Sequence, residues 1–597
     1  MDHWVALLLA PLALWVLLSG LDDCVIDAAA AVAWLRVTLR YGGPENAAPD
    51  EQDLANAPPR LTAIFVAVWK EHRVIQGMID NNVTRVNYPR LHFFVGAYPN
   101  DGPTLGAIRE AMKRHPNVHL AVCPHDGPTS KADCLNWIYQ RMILYEEEHG
   151  ERFEMVLTHD AEDIIDPDAV LWINYYGQWH DMIQIPVLPL PTPLAEITHG
   201  VYCDEFSEYQ QKDMMGRSLL GGFIPSSGVG TGFSRRALEA LAAAHRNRIF
   251  EPGCLTEDYE NGFRVASLGL RQKFIPIHVR SGRPIATRGY FPRCFQTAVR
   301  QRARWITGIG LQSWEYHSFG QTLRHSYWFW RDRKSLVGNI AGPLTNLVFF
   351  YGAVTWGWAL AMHRVWGLPI ALENESHWLA SGSAAGLSLQ IAHTAIRVGC
   401  SARVYGWPFA AGVPVRVVAG NWINCVATCR AIGGYTAAKL QGRPLRWAKT
   451  EHSYPNRAAL LTHRRLLGEI LGIPLIELEA ALLSCPPRRR LGEHLVLLGL
   501  ATEEELYKAL GVQNNLPFGR PEAALVSLAV TRSLPAAVAR KWHVLPFRIA
   551  GGELYLAGSE LPGDEMQKDV RRFSSLEIRF QLVTPTQFEE MAGIYLG

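Results

Sequence analysis

The sequence predicts a parallel α/β domain that is joined to membrane-spanning helices and followed by a soluble C-terminal region. Short apolar strands alternate with amphipathic stretches over residues 61–278, which is the pattern of a parallel sheet with crossover helices. Residues 336–362 carry no charged side chain and are numerous enough to cross a bilayer. After residue 455 such apolar runs stop, although the chain continues to Gly597.

The length and composition favour several domains in a reduced compartment. The chain has 597 residues, far more than one hydrophobic core usually supports. The formal net charge of +2 gives no indication of nucleic acid as a partner. The ten cysteines are scattered without a CxxC pair, which disfavours a disulfide framework or a zinc site.

The first apolar segment, residues 3–21, is predicted to span the membrane. It carries no charged side chain and is close to the ~20 residues that a bilayer needs. A cleavable signal peptide is the alternative, which the missing basic n-region and the acidic Asp22-Asp23 disfavour. Residues 24–39 are apolar but include an Asp and an Arg, so we expect a separate interfacial helix there.

Three more apolar segments follow the α/β domain. Residues 336–362 and 378–396 are predicted spans, and the loop between them is acidic, whereas arginines follow the second. By the positive-inside rule the acidic loop lies outside. Residues 404–429 contain two prolines and an Arg between basic flanks, which favours a re-entrant or interfacial hairpin over a simple span.

A basic and aromatic stretch, residues 293–334, lies just before the long apolar run. It combines several arginines with four tryptophans. Next to a span, this composition is typical of amphipathic helices at an anionic membrane surface. RNA binding would use similar residues and is the less favoured alternative.

Acidic residues follow the predicted strands of the α/β domain. The strands are residues 61–68, 91–97, 117–123 and 154–159. Ligands of parallel sheets bind beyond the carboxyl ends of the strands. The acidic clusters found there are Trp69-Lys70-Glu71, Asn100-Asp101 and Asp160-Ala161-Glu162-Asp163.

Asp160 and Glu162 are the candidate metal ligands. Asp160 ends a hydrophobic strand, and Glu162 projects to the same side of an extended stretch. Two such carboxylates can hold Mg²⁺ or Mn²⁺ and leave positions for diphosphate oxygens. A helix N-cap before Pro167 is the competing explanation for this acidic segment, and we assign that cap to Asp166.

Two further motifs carry candidate chemistry. Thr256-Glu257-Asp258 opens a predicted helix, where Thr256 is either a cap or the neighbour of a carboxylate that accepts a proton from a sugar hydroxyl. Gln301-Arg302-Ala303-Arg304-Trp305 presents Gln301, Arg304 and Trp305 on one helical face. The Arg can bind a diphosphate and the Trp can stack on a sugar ring, or both can snorkel at a membrane interface.

In this order, and followed by apolar spans, these motifs resemble the processive family 2 glycosyltransferases, which include cellulose, chitin and hyaluronan synthases. The resemblance covers residues 60–440 and includes Val68-Trp69-Lys70-Glu71. Residues 158–163 and 329–334 are more specifically similar to the phage adsorption protein B family. The resemblance implies a GT-A (Rossmann-like) fold and an inverting transfer from a UDP-sugar, such as a UDP-N-acetylhexosamine, to a glycan acceptor.

The resemblance also implies roles for the site residues. Asp258 would be the general base, with Glu257 beside it, and Asp160 and Glu162 would hold the metal, where Glu162 replaces the commoner Asp. Residues 228–233 would form an acceptor loop, unless a tight turn explains their glycines. Asn136 would lie near the donor, as part of a Lys-Ala…Asn element. The residues implied in binding the UDP-sugar are Glu71, Asp101, Lys131, Asp160, Gln301, Arg304 and Trp305.

The C-terminal region resembles the MshE-type N-terminal domain of type II secretion ATPases, which binds cyclic di-GMP. The run from Arg490-Leu491-Gly492 to Gln513 matches one repeat, and a shortened repeat precedes it. The resemblance implies a small α+β regulatory domain; an ordinary helix pair or a protein-docking module is the alternative. The implied nucleotide-binding residues are Arg465, Gly468, Arg490, Gly492, Gly499 and Gln513.

The predicted domains are an N-terminal span and interfacial helix (1–60), a GT-A domain (61–292), interfacial helices with QxxRW (293–335), a transmembrane region (336–430), a linker (431–460) and a regulatory domain (461–597). The resemblance implies a multi-pass exopolysaccharide synthase of the bacterial inner membrane, activated by cyclic di-GMP, with both soluble domains cytoplasmic. It further implies an outer-membrane export protein as partner and leaves homo-oligomerisation open. The alternatives are a non-catalytic scaffold or phage-receptor component, and a non-processive enzyme that makes a lipid-linked sugar.

Overall fold

The protein forms two compact units, residues 1–454 and 455–597, in a computed structural model. The structure describes residues 2–43, 45–72, 74–280, 283–443, 445, 467, 470–473, 475–486, 489–514, 516–550 and 552–596.

A seven-stranded mixed sheet forms the centre of the first unit. The strands of this unit are β1 (Thr62–Ala67), β2 (Leu91–Ala97), β3 (Val118–Val122), β4 (Met155–His159), β5 (Met182–Gln184), β6 (Val187–Pro189), β7 (Thr231–Ser234), β8 (Gln272–Phe274), β9 (Val279–Arg280), β10 (Arg283–Pro284) and β11 (Thr287–Gly289). The order in the large sheet is β3-β2-β1-β4-β7-β5-β8. The four predicted strands are β1 to β4, and their parallel pairing is confirmed.

The strand β7 departs from the prediction, because it runs antiparallel to β4 and β5. It follows Gly228 and Gly230, whose φ values of 74° and 60° turn the chain back beside β4. A strand of four residues carries too short a hydrophobic pattern to reveal its direction, so the sequence predicted a wholly parallel sheet.

Helices cover both faces of the sheet and continue into a bundle of long helices. They are α1 (Asp2–Tyr41), α2 (Glu51–Asn56), α3 (Ile75–Arg85), α4 (Gly102–Arg114), α5 (Lys131–His149), α6 (Ala169–Tyr176), α7 (Ile197–Glu208), α8 (Met214–Leu219), α9 (Arg235–Ala244), α10 (Glu257–Ser267), α11 (Phe295–Ile306), α12 (Ser313–His317), α13 (Leu323–Arg333), α14 (Ser335–Ala361), α15 (Gly367–Glu375), α16 (His377–Tyr405), α17 (Trp407–Ala410) and α18 (Val413–Leu440). Two π-helices, Tyr209–Asp213 and Thr307–Gln312, follow α7 and α11.

Side chains of β1 alternate between the two cores of the sheet. Ile64 and Val66 are buried in one apolar cluster, whereas Ala63 and Phe65 are buried in the other. This burial on both sides is expected of a central strand flanked by crossover helices.

The helix α1 is one continuous element of 40 residues, about 60 Å long at the α-helical rise. The predicted division into two helices, over residues 3–21 and 24–39, is therefore wrong. The acidic pair between the two predicted segments does not interrupt the helix. The Asp22 carboxylate accepts hydrogen bonds from Tyr327 and Lys334 at 2.8 and 2.7 Å inside the bundle.

The hairpin predicted over residues 404–429, re-entrant or interfacial, is wrong as a backbone path, because most of the segment lies in the 28-residue helix α18. Pro414 lies in the first turn of α18, where a proline breaks no hydrogen bond. Arg416 is buried, and its guanidinium pairs with Asp204 of α7 at 2.6 Å. The charge that argued against a straight helix is thereby neutralised.

Two helical segments among the described residues, Asp2–Tyr41 and Leu323–Ala361, are long and apolar enough to cross a membrane. Buried core helices of soluble proteins and signal sequences can have the same length and composition. These two segments are therefore weak evidence for a membrane protein by themselves.

The second unit is a small α+β domain, as predicted. Its helices are α19 (Leu475–Ser484), α20 (Leu491–Leu497), α21 (Glu503–Asn514), α22 (Leu528–Thr531), α23 (Ala536–Lys541), α24 (Asp564–Arg571) and α25 (Pro585–Tyr595). Its strands are β12 (Val544–Ala550), β13 (Glu553–Gly558) and β14 (Glu577–Leu582). The central strand β13 pairs antiparallel with β12 and parallel with β14.

Candidate active site

A cavity of 630 Å³ lies at the carboxyl ends of β1 and β4. The motifs that the sequence singled out converge on it from separate parts of the first unit. The predicted residues that line it are Glu71, Lys131, Asp160, Glu162, Glu257, Asp258, Gln301, Arg304 and Trp305.

Lys131 is a half-buried cation close to three carboxylates. It begins α5, and its Nζ forms an ion pair with Oδ1 of Asp160. Burial alone would lower the pKa of Lys131, but the charges of Asp160, Glu257 and Asp258 raise it above its ordinary value. The lysine therefore stays charged at neutral pH and offsets part of the negative charge of the cavity.

The turn that carries Asp160 and Glu162 is held by Asp163. The Asp163 carboxylate accepts the backbone N–H of Asp160 at 2.9 Å and pairs with Nδ1 of His159 at 3.0 Å. Burial raises the pKa of Asp163 to about 6. Asn82 of α3 donates to the carbonyl of Asp163 at 2.9 Å. Asp163 is therefore occupied in shaping the loop.

The helix cap assigned to Asp166 is wrong. Asp168 is the N-cap of α6, and its side chain makes no capping hydrogen bond. The Asp166 carboxylate instead accepts the backbone N–H of Asp168 at 3.0 Å in a turn before the helix. Pro167 disfavours helical backbone at the residue before it, which places the helix start beyond the proline.

Asp160 and Glu162 provide two half-buried carboxylates on the wall of the cavity. The part of the chain that the structure describes contains no group of three or more His, Cys, Asp or Glu side chains that could hold a metal ion. Mg²⁺-type ions at nucleotide sites commonly take one or two protein carboxylates and complete their shell with phosphate and water. The donor set fits a cation of that kind bound together with a diphosphate.

Glu257 and Asp258 form a pair of neighbouring carboxyls at the start of α10. Burial, followed by the charge of Asp258, raises the pKa of Glu257 to about 7. Burial also raises the pKa of Asp258. Thr256 makes no capping hydrogen bond, and its buried Oγ1 has no partner among the described residues. The hydrogen bond that a helix-capping role of Thr256 requires is therefore not found among the described residues.

The Asp258 carboxylate is closely held. Its Oδ1 accepts the backbone N–H of Tyr259 at 2.8 Å. A Cβ atom on Gly228 would lie 2.5 Å from its Oδ2, so only glycine fits there. Of the predicted acceptor loop, Val229 lines the cavity and the residues from Thr231 onward belong to β7.

The helix α11 presents Gln301, Arg304 and Trp305 to the cavity. The Gln301 Oε1 and the Arg304 Nε are buried and have no hydrogen-bond partner within the described ranges. Burying an unpaired polar group costs about 1–3 kcal/mol, so a ligand with donors and acceptors would recover that cost. The Arg302 side chain is buried elsewhere, where its Nη1 pairs with Glu205 at 2.7 Å.

The π-helix after α11 locks this helix against the Thr256-Glu257-Asp258 motif. The Gln312 side chain accepts the N–H of Leu255 at 2.9 Å and donates to the carbonyl of Gly253 at 3.0 Å. A Cβ atom on Gly308 would lie 2.2 Å from the Thr256 Oγ1. π-Helices are rare and often occur at functional sites, and nothing in the sequence pattern predicted this one.

Asp101 and Asn136, which were predicted to lie near the UDP-sugar, do not line the cavity. Asp101 is buried, and its carboxylate accepts the backbone N–H of Lys70 at 2.5 Å. Lys70 has a φ of 55°, so this hydrogen bond stabilises the strained turn that presents Glu71. Asn136 instead accepts the backbone N–H groups of Ile249 and Phe250, both at 3.0 Å. Both residues support loops near the site.

Several lining residues were missed by the sequence analysis. Tyr98 directly follows β2, so the strand-end rule could have found it. Gln210 lies in the first π-helix and is 1% exposed, and its Oε1 has no partner in the described part of the chain. The others come from helices, or in the case of Arg293 from the loop before α11, that only tertiary packing brings near. The missed residues include Tyr98, Phe206, Gln210, Arg293 and Asp332.

The predicted nucleotide residues of the second unit have mixed outcomes. Arg490 is exposed at the N-cap of α20. A Cβ atom on Gly492 would lie 2.6 Å from Leu506 of α21, and Gly499 has a φ of 70°, so packing and backbone geometry explain both glycines. Arg465, Gly468 and the Gln513 side chain lie outside the described residues.

Comparisons with known proteins identify the families to which the two parts of the chain belong. The model of the family "Glycosyltransferase like family 2" matches residues 58–308. The MshEN domain model matches residues 514–595, beginning just after the predicted cyclic di-GMP residues. The chain is therefore a family 2 glycosyltransferase with an MshEN domain at its C-terminal end.

Curated relatives identify the family more closely. The chain is 35% identical to bacteriophage adsorption protein B of Escherichia coli (strain K12) over 573 residues, which cover 92% of this chain and 76% of the relative. The bacteriophage N4 adsorption protein B of Escherichia coli O157:H7 matches equally well. The chain belongs to the bacteriophage adsorption protein B family.

Solved structures show more distant similarity. A mannosyltransferase from Pyrobaculum calidifontis in complex with GDP-Man and Mn²⁺ is 15% identical, with a TM-score of 0.41, over 72% of this chain and 99% of that one. The structure of MshE with cdg is 27% identical, with a TM-score of 0.20, over 22% of this chain and 97% of that one.

Proposed function

We propose that this enzyme is an inner-membrane glycosyltransferase that transfers a sugar from a UDP-sugar to a growing glycan with inversion at the anomeric carbon. The observation that carries the proposal is the convergence of the Asp160-Glu162 pair, the Glu257-Asp258 pair and the Gln301/Arg304/Trp305 face on one cavity. These groups supply diphosphate binding, a base and an acceptor platform.

The donor diphosphate would bind between Lys131, Arg304 and the Asp160-Glu162 pair. A Mg²⁺ or Mn²⁺ ion held by the two carboxylates would neutralise diphosphate charge when bound. Arg304 offers a fixed cation whose buried Nε has no hydrogen-bond partner among the residues that the structure describes. Glu71 and Tyr98 line the same cavity and would contact the nucleoside.

Asp258 would act as the general base. Its carboxylate takes the proton of the acceptor hydroxyl, whose oxygen bonds to the anomeric carbon while the bond to the diphosphate breaks. The diphosphate leaves with the electron pair, and attack on the opposite face inverts the configuration. Burial raises the pKa of Asp258, and a base whose pKa lies nearer the working pH transfers protons more efficiently.

A glycan acceptor is supported by the aromatic end of the cavity. Trp305 packs beside Tyr202 and Phe206, with ring centroids 6.1 and 6.3 Å apart. Sugar rings stack on such apolar platforms. The helices α7 and α11 pack against α18, which favours release of the product along the long helices. Processive extension, an N-acetylhexosamine donor and an export partner in the outer membrane complete the proposal.

Cyclic di-GMP is the proposed activator. The MshEN match is the support for it. Binding at the second unit would shift the catalytic unit towards its active state, which is a coupling free energy between two sites. The relatives are named for bacteriophage adsorption, and a glycan made and exported by this enzyme would be a surface for such adsorption.

The test is UDP release by the purified full-length protein in detergent. UDP-sugars are screened with Mg²⁺ or Mn²⁺, with and without cyclic di-GMP, and product length is read on a gel. Asp258→Asn should abolish turnover, whereas Glu110→Gln on the exposed surface of α4 should not. Absence of turnover with every donor would refute the enzyme's proposed substrate class, and single-sugar products would favour a non-processive, lipid-linked transfer.

A further inference from the structure

The helix α13 brings a carboxylate, Asp332, to the catalytic cavity, and the mechanism above does not use it. Asp332 lines the cavity, with 14% of its side chain exposed. It lies within residues 329–334, a segment that the sequence analysis singled out without assigning a role.

Both oxygens of Asp332 are already engaged. Oδ1 accepts from the Arg217 Nη1 at 2.7 Å, and Oδ2 accepts from the Arg217 Nη2 at 2.9 Å. The hydroxyl of Tyr259 also donates to Oδ2, at 2.7 Å. Arg217 is itself buried, donates to the carbonyl of Phe223 at 2.7 Å and lies over the Trp328 ring. A carboxylate held by three donors is suited to fixing its neighbours.

Tyr259 connects this cluster to the proposed base. Its backbone N–H donates to the Asp258 Oδ1 at 2.8 Å, and its ring packs on Phe223 at a centroid distance of 5.6 Å. The same residue is therefore anchored by Asp332 at its hydroxyl and contacts the base at its amide. A shift of Tyr259 would move the first turn of α10.

We propose that Asp332 is a positioning residue, which acts through Tyr259 to hold the Asp258 carboxylate in the orientation that takes the acceptor proton. The inference rests on the proposed role of Asp258 as the base. Arg217 contributes to the same positioning, because its bidentate ion pair holds the Asp332 carboxylate in place.

A matched pair of variants tests this role. Tyr259→Phe removes the hydroxyl that donates to Asp332, and Tyr327→Phe removes a hydroxyl of α13 that donates to Asp22 at 2.8 Å. Both variants lose one hydrogen bond to a carboxylate, but only Tyr259 contacts the proposed base, Asp258. We expect Tyr259→Phe to lower kcat about tenfold, because misplacement by ~1 Å can cost up to ~100-fold. The KM for the UDP-sugar should stay within about twofold of the wild-type value, because the variant keeps the groups that bind the UDP-sugar.

A double-mutant cycle on kcat gives the second measurement. Asp332→Asn should lower kcat at least as much as Tyr259→Phe, and the combined variant should be no slower than Asp332→Asn alone, because residues acting through one contact are not additive. Thermal midpoints of all variants are measured beside the kinetics. Equal losses of kcat in Tyr259→Phe and Tyr327→Phe, or additive losses in the cycle, would show a purely structural role and overturn the proposal.

The failure of the base assignment is distinguishable from failure of the positioning role. Full activity of Asp258→Asn would remove the proposed base and, with it, the inference. An inactive Asp258→Asn beside a Tyr259→Phe of wild-type kcat would leave the base in place and overturn the positioning role alone.

Discussion

Replacement of Gly308 by alanine should displace the π-helix after α11 from the Thr256-Glu257-Asp258 motif of the active site. A Cβ atom at residue 308 would lie 2.2 Å from the Thr256 Oγ1 and 2.6 Å from its Cγ2. Ordinary van der Waals contact begins at 3.4 Å, so one side must move by about 1.2 Å, the difference between 3.4 and 2.2. That movement pushes the π-helix after α11 away from the turn that carries Glu257 and Asp258.

The expected magnitude follows from this displacement. Inserting one methyl group into a tight contact costs about 1–3 kcal/mol of stability. A misplacement of ~1 Å at an active site can cost ~100-fold in rate. We therefore expect Gly308→Ala to lower kcat by about 30- to 100-fold while the protein remains folded at 25 °C.

The matched control is Gly310→Ala in the same π-helix. A Cβ atom there would lie 3.2 Å from the end of Leu336, a flexible side chain that can move aside. UDP release and thermal unfolding are measured for both variants, and for Gly308→Ala combined with Thr256→Ala, which removes two of the clashing atoms and should recover part of kcat. A Gly308→Ala enzyme with wild-type kcat, or a loss no larger than that of Gly310→Ala, would refute the reasoning.

Three further predictions concern the pH dependence of stability and the second unit. The folded pKa of Glu257, about 7, lies above its ordinary value of 4.5, so the folded state binds the extra proton between these values. The stability gained from that proton falls as pH rises from about 4.5 to about 7. The full shift corresponds to about 3 kcal/mol. Glu257→Gln should flatten that fall in thermal midpoint, and an unchanged pH slope would contradict it. In the second unit, Gly492→Ala should lower stability by about 1–3 kcal/mol through its contact with Leu506. Arg490→Ala should leave the thermal midpoint unchanged and weaken cyclic di-GMP binding in a fluorescence titration. Unchanged nucleotide affinity in Arg490→Ala would favour a protein-docking module.

The strands and the chemistry-bearing motifs could be predicted because they depend on local patterns. The runs that became β1, β2 and β4 are apolar and almost wholly buried, whereas the edge strand β3 is only partly buried. Asp160 follows β4 directly, so the strand-end rule located it without further information. The order of the remaining motifs was read directly from the sequence, and the family resemblance supplied their roles.

Predictions failed where a distant partner changes the local energetics. The helices predicted over residues 3–21 and 24–39 form one helix, because the Asp22 carboxylate between them pairs with Lys334 inside the bundle. Arg416 argued against a continuous helix until Asp204 paired with it. In both cases the cost of burying a charge is removed by a residue far away in the chain, which no local pattern encodes.

The sequence by itself determined which residue types were available for diphosphate binding and proton transfer, because their spacing and strand-end positions are local. Only the tertiary structure decided which polar residues line the cavity and which support the loops around it. Asp101 and Asn136 support loops, whereas Gln210 and Asp332 reach the cavity. The reason is geometric: the π-helices and the packing of α13 against α10 set the directions of side chains, and those directions arise from contacts between segments that are distant in the chain.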